Sequence, residues 1–284
     1  GCRGCARLRK AGVDVRGMAV FFERLQKSVR LYENNATAYL RTHPLTGERL
    51  SDMQNREQAV SYRQVADSPD FLLIRAKLRA MLGTPAEAVR DFENLLHEKK
   101  FASEGATHFG LAIALIRARE WAAAEAKLQT ARQARISAAV LDRQLAEIKL
   151  VQGKNSEALV LYREAMVRYP LNLALVYGYG QALIKVGRFD ESLHFAESQL
   201  QNYPQDVRLH KMRAESYAGL GRGAQQHQAL AEAFALQGQT AGAIEQLLHA
   251  QRAGDANFYE QSVIDTRLRE LRKRLADEQK EKRN

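Results

Sequence analysis

The sequence predicts an all-α fold in which helical hairpins of equal length stack side by side into a curved array. Three observations predict it. The chain is rich in the good helix formers Ala, Leu, Arg, Glu and Gln. It has only five prolines, none where a helix interior is expected. Turn-like segments recur every 34 residues. With 284 residues, 45% of them hydrophobic, the chain can bury a large core, which excludes disorder throughout.

The repeat shows best in the turn between the two helices of each hairpin. Four such turns lie 34 residues apart: Arg119-Glu120-Trp121, Gly153-Lys154-Asn155, Gly187-Arg188-Phe189 and Gly221-Arg222-Gly223. A small residue follows the start of the first three turns by five positions, and a second set of packing residues follows by nine: Ala124, Ala158 and Ser192, then Leu128, Tyr162 and Ala196. Small residues let two helices approach closely, and large ones fill the space beside them. This spacing resembles the tetratricopeptide repeat family.

The repeat also sets the expected domain bounds. Gly83-Thr84-Pro85 extends it upstream. Gly238 comes only 17 residues after Gly221, so we expect an extra helix over about 206–220, before a pair at 224–236 and 240–253. The solenoid is then predicted over 67–254, and a charged C-terminal capping helix over 255–284. Residues 1–66 lack the rhythm and form a separate segment, with helices expected at 16–33 and 46–64.

The segment before the solenoid contains one loop histidine in a distinctive setting. His43 lies between Thr42 and Pro44, and proline biases the preceding residue toward an extended backbone, so the imidazole can project from the loop. AGVDVRGM at 11–18, FFERL at 21–25 and RTHPLTGERL at 41–50 resemble the end of the metallopeptidase domain of BepA-type periplasmic zinc proteases. In that family, as in this chain, a tetratricopeptide array follows.

The resemblance implies a function and a set of site residues. The family is a group of zinc metalloendopeptidases that act in outer-membrane protein assembly and quality control. Its zinc is held by an H-E-x-x-H helix and a downstream glutamate, none of which has a counterpart in this sequence. The chain is therefore expected to be inactive as a peptidase alone and to hold no tightly bound zinc. His43 matches the family histidine that is an extra zinc ligand and keeps the protease latent. Arg49 matches an arginine near that site, to which we assign a structural role.

Partners follow from the array and from the resemblance. In such solenoids the first helices of the hairpins line a continuous concave surface. The repeat frame predicts a protein-binding groove lined by eight residues: Phe109, Ile113, Arg117, Arg143, Glu147, Tyr177, Gln181 and Lys185. Its expected occupants are peptide segments of client proteins and the outer-membrane β-barrel assembly machinery, in the periplasm. The rival interpretation is a free-standing tetratricopeptide adaptor without peptidase action.

Other function classes are disfavoured. No apolar run approaches the roughly 18 residues that a membrane span needs. The net charge of +10 is spread thinly along the chain, so a nucleic-acid partner is not expected, although an RNA-associated helical repeat stays as a third alternative. Cys2 and Cys5 form a C-x-x-C at the start, which supplies at most two ligands of a four-ligand zinc site. The chain begins without methionine and without a secretory signal, and is expected to be a fragment or a trimmed product.

Overall fold

The computed structural model describes residues 66–134 and 139–281, together with a few single helical positions before residue 25. Contacts divide the chain into two units, Gly1–Ser68 and Pro69–Asn284. The helices expected at 16–33 and 46–64 lie outside the described residues, apart from those single positions. Cys2, Cys5, His43 and Arg49 also lie outside them.

The described ranges fold into helices and contain no strand, which confirms the all-α prediction. The twelve helices of this part run in order as follows: α1 Pro69–Ala80, α2 Pro85–His97, α3 Glu104–Arg117, α4 Trp121–Gln133, α5 Ala139–Val151, α6 Asn155–Arg168, α7 Leu173–Lys185, α8 Phe189–Asn202, α9 Val207–Gly219, α10 Gly223–Leu236, α11 Thr240–Arg252 and α12 Phe258–Glu281.

Each helix packs on the next, and some first helices of adjacent hairpins also pack against each other. In this second way α1 contacts α3, and α7 contacts both α5 and α9. The core is a row of apolar clusters, of which the first runs from α1 to α5 and another joins α10, α11 and α12. Each hairpin therefore buries its apolar face against its neighbours, as stacked repeats require.

Two kinds of helix start occur along the chain and account for the 34-residue repeat of the sequence. Several first helices begin with a side-chain cap: Ser103 for α3, Asn172 for α7 and Asp206 for α9 each accept hydrogen bonds from backbone N–H groups of the first turn. Helices α4, α6, α8, α10 and α11 have no such cap. They follow a tight turn whose first residue has a positive φ, and the next residue's N–H bonds back to the preceding helix at 2.9 Å.

That turn corrects one expectation about the helices after residue 206. Helix α9 begins one full repeat after the start of α7, and α10 begins one full repeat after the start of α8, so these two form the next regular hairpin. The helices expected at about 206–220, 224–236 and 240–253 are thus present as α9, α10 and α11, but α9 pairs with α10 and is not an extra element. Gly238 repeats the turn after only half a period because it joins α10 to α11, whereas the earlier hairpins are separated by longer connections.

Candidate binding groove

A cavity of about 250 Å³ opens on the surface formed by α5, α7 and the start of α9. Its lining combines charged, aromatic and small side chains: Arg143, Glu147, Leu150, Tyr162, Ala174, Tyr177, Gly178, Gln181, Ala182, Lys185 and Arg208. We call this cavity the groove. Such a mixture of apolar walls and a few polar groups is typical of sites that bind protein segments.

The repeat places these residues side by side. Arg143 and Glu147 are separated by one helical turn on α5, and so lie on one face of that helix. Tyr177 and Gln181 occupy the same two positions one repeat later on α7, with Lys185 a further turn along. Because α5 and α7 pack together, the two faces join into one surface. The groove therefore contains these five of the eight residues predicted for it.

Small residues on α7 create the space. Ala174, Gly178 and Ala182 recur at successive turns along the groove side of the helix. A Cβ atom on Gly178 would lie 2.6 Å from Cε1 of Tyr162 and 3.0 Å from its hydroxyl oxygen. The Tyr162 ring, which is 1% exposed, thus rests directly against the α7 backbone and closes the inner end of the groove. Burial raises the pKa of its hydroxyl, which therefore stays protonated and uncharged.

Hydrogen bonds fix the polar side chains of the groove. The Glu147 carboxylate accepts a bond from Arg143 Nε at 3.0 Å and another from Gln144 at 3.1 Å. Gln181 donates to Glu215 of α9 at 2.8 Å. These bonds hold the polar groups of three successive first helices in place, so the surface is largely preformed and loses little conformational freedom when a ligand binds.

Two contacts fix the position of the Tyr177 ring, one at its hydroxyl and one at its face. Its hydroxyl donates to the carboxylate of Asp206, and the guanidinium of Arg208 lies 5.0 Å from the ring centroid. Burial, followed by the bond to Asp206, raises the pKa of Tyr177 to about 12. The ring therefore offers a flat, neutral contact surface with a cation stacked on it.

Three of the predicted groove residues lie elsewhere. Phe109 and Ile113 are only 1% and 4% exposed, because α1 packs across that face of α3 and takes both into the first core cluster. Arg117 donates to the carbonyl oxygens of Ala80 and Gly83 at 2.5 and 2.9 Å. It thereby satisfies carbonyls at the end of α1, which is a structural role.

The groove also contains residues that the frame did not identify as binding residues. Tyr162 was recognised only as a bulky packing residue, and nothing in the spacing shows that its buried ring closes the inner end of the cavity. Gly178 has no side chain, so a search for binding side chains in the sequence does not select it. Arg208 lies one full repeat after Ala174, another lining residue that the repeat frame did not select, so the two occupy equivalent positions on successive first helices.

Two other kinds of site are absent from the described ranges. Within residues 66–134 and 139–281 no three His, Cys, Asp or Glu side chains gather closely enough to hold a metal ion. None of the helices described there combines the length and apolar content that a bilayer crossing requires.

The tetratricopeptide repeat family model matches residues 150–215, a stretch that includes α7 and most of the groove. Solved structures with a similar fold include MamA from Desulfovibrio magneticus RS-1, at 15% identity and a TM-score of 0.43, over 60% of this chain and 95% of that one. Another is YrrB, described as a TPR protein with an unusual peptide-binding site, at 16% identity and a TM-score of 0.44, over 65% and 92%.

Two curated relatives are similar over nearly the whole chain. The beta-barrel assembly-enhancing protease of Yersinia pestis is 27% identical over 273 residues, which cover 94% of this chain and 55% of that protein. The protease of the same name from Escherichia coli K12 is 26% identical over 93% of this chain and 54% of its own length. The chain thus spans about half the length of the curated relatives it matches. Over nearly its whole length the chain is therefore similar to beta-barrel assembly-enhancing proteases, and residues 150–215 match the tetratricopeptide repeat model.

Proposed function

We propose that this chain is the protein-binding part of a periplasmic zinc metallopeptidase of the beta-barrel assembly-enhancing type, and that its groove takes extended segments of unfolded client proteins. One observation carries the proposal. The first helices α5, α7 and α9 join into a single preformed surface with a cavity of about 250 Å³, large enough for one or two side chains. The relatives' name, beta-barrel assembly-enhancing protease, supports outer-membrane β-barrel proteins as the clients.

The walls of the groove suit an extended chain. Gln181 carries an amide group, and Tyr177 offers a ring face, so the surface combines a hydrogen-bonding group with apolar contact area. An extended segment presents alternate side chains to one face, and its free backbone groups need partners. The proposed role in outer-membrane assembly, with the assembly machinery as a further partner, requires this recognition of clients before they fold.

The experiment is site-specific photocrosslinking on the full chain. A photoreactive amino acid replaces Gln181 in the groove, and in a matched control it replaces Val167, which is 82% exposed on α6 and does not line the groove. The probe is an outer-membrane β-barrel protein diluted from urea. We expect crosslinks from position 181 to the unfolded barrel and none from position 167. Equal crosslinking from both positions, or none from either, would contradict the proposal.

Zinc enters the proposal only through the family. The residues that the structure describes offer no set of zinc ligands. His43 is proposed as the latch of the family protease, an imidazole that fills the position needed by the catalytic water. In a protein that joins this chain to an H-E-x-x-H domain, His43→Ala is expected to raise the rate of casein cleavage. His97→Ala, at an exposed position at the end of α2, is the control. An unchanged or lower rate for His43→Ala would refute the latch.

A further inference from the structure

Two positively charged side chains of the groove have no carboxylate partner in the part of the chain that the structure describes, whereas the carboxylates at the groove are hydrogen-bonded. Lys185 and Arg208 both line the cavity, both are exposed, and neither has a carboxylate oxygen within 4.0 Å among residues 66–134 and 139–281. The third cation of the lining, Arg143, is different, because its Nη2 lies 2.8 Å from Oε1 of Glu147. Two cations of the groove are thus available to a ligand.

The carboxylates at the groove are already bonded within the fold. Glu147 accepts bonds from Arg143 and Gln144. Asp206 accepts the Tyr177 hydroxyl and two backbone N–H groups at the start of α9. Glu215 accepts a bond from Gln181. A cationic ligand would have to compete with these bonds, whereas an anionic ligand could pair with Lys185 or Arg208 without breaking a bond to a carboxylate.

The positions of the two cations allow each of them to pair with a separate anionic group. They belong to different helices, Lys185 at the end of α7 and Arg208 at the start of α9, and they share one cavity. Rings and methyl groups form much of the wall, from Tyr162, Tyr177, Ala174 and Ala182, and such a wall reduces the screening of charge by water. Lys211 and Glu215 of α9 carry opposite charges and extend no single-sign stripe beyond the cavity.

We propose that the groove selects segments with acidic residues, whose Asp or Glu side chains enter the cavity and pair with Lys185 or with Arg208. The inference rests on the proposed function, since it names the chemistry of the segment that the groove takes. A nucleic-acid strand fits less well. Its phosphates repeat at every nucleotide, while the groove offers two free cations beside the carboxylates of Glu147, Asp206 and Glu215.

The test uses two peptides that differ only in charge. Both are extended, acetylated and amidated at their ends, and one has a central Asp-Glu pair where the other has Asn-Gln. Fluorescence anisotropy on the full chain is expected to show about 10-fold tighter binding of the acidic peptide. The difference should shrink as salt is raised from low to about 0.5 M. In the double variant Lys185→Gln/Arg208→Gln, the preference for the acidic peptide should be lost.

Controls separate a charge effect from unfolding. Lys185→Arg keeps the charge and should retain the preference, and Arg163→Gln removes an exposed cation of α6 that does not line the groove. Helical circular dichroism checks that each variant folds. Equal affinity for the two peptides, a preference that survives the double variant, or tighter binding of a single-stranded RNA of the same length would each overturn the inference. The photocrosslinks from position 181 report on the proposed function independently, so the two can fail separately.

Discussion

Replacing Gly110 with alanine is expected to destabilise the fold by about 2–3 kcal/mol, although the change adds only one methyl group. The new Cβ would lie less than 3.0 Å from two atoms of the Phe92 ring, Cε1 and Cζ, and 3.0 Å from Cδ1. Phe92 is 2% exposed and belongs to the first core cluster, so its ring cannot move aside without displacing its neighbours. Urea unfolding of the full chain, followed by circular dichroism, measures the change.

Gly242→Ala is the matched control for this substitution. Gly242 also lies inside a helix, but the nearest side-chain atom to its new Cβ would be Cδ1 of Phe234 at 3.5 Å, an ordinary van der Waals distance. Alanine has the better helix propensity, so this variant is expected to be more stable than the natural chain by about 0.5–1 kcal/mol. If Gly110→Ala and Gly242→Ala unfolded at the same urea concentration, the close packing of α3 on α2 would be contradicted.

Replacing Asp142 with alanine is expected to cost about 2 kcal/mol. Asp142 is 4% exposed, and its two carboxylate oxygens accept from Arg132 at 2.6 Å and from Arg168 at 2.9 Å. These arginines lie near the ends of α4 and α6, so one carboxylate joins two hairpins. The Arg132 and Arg168 side chains are 38% and 42% exposed and can return to water, which keeps the loss below that of a fully buried ion pair. Urea unfolding by circular dichroism measures it.

Two further variants isolate the role of the bridge. Asp142→Asn keeps the shape of the side chain but loses its charge. We expect its free energy of unfolding to lie between those of the natural chain and the alanine variant. Asp91→Ala removes an exposed carboxylate of α2 and should change the free energy of unfolding by less than about 0.5 kcal/mol. A loss for Asp142→Ala no larger than that for Asp91→Ala would show that the bridge contributes nothing.

The regular part of this fold was predictable because it depends on local rules. A left-handed turn residue precedes the second helix of each hairpin from α1 to α10, and this repeat brings Arg143 and Tyr177 to equivalent positions on neighbouring first helices. The turn tolerates exceptions, since Arg119 adopts a φ of 63° where the next three repeats have glycine. The repeat spacing therefore predicts where the helices lie and which residues of α5 and α7 share one face.

The repeat spacing does not predict how closely neighbouring helices approach each other. Phe109 and Tyr177 occupy the same position of their repeats, yet one is buried in the core and the other lines the groove. The difference arises because α1 packs closely across α3, and that approach depends on the small residues Ala76 and Ala80 of α1 as well as on α3 itself. Likewise Asp142 and Arg168 meet across 26 residues, which no local pattern encodes.

The most direct test of the central claim, that the joined faces of α5, α7 and α9 bind an extended client segment, is a crystal structure of the full chain with a segment of an unfolded outer-membrane β-barrel protein. We expect an extended segment along these helices, in contact with Tyr177 and Gln181, with one side chain in the cavity beside Tyr162. A segment bound on α6 or on the exposed side of α12, with the cavity empty, would contradict the claim.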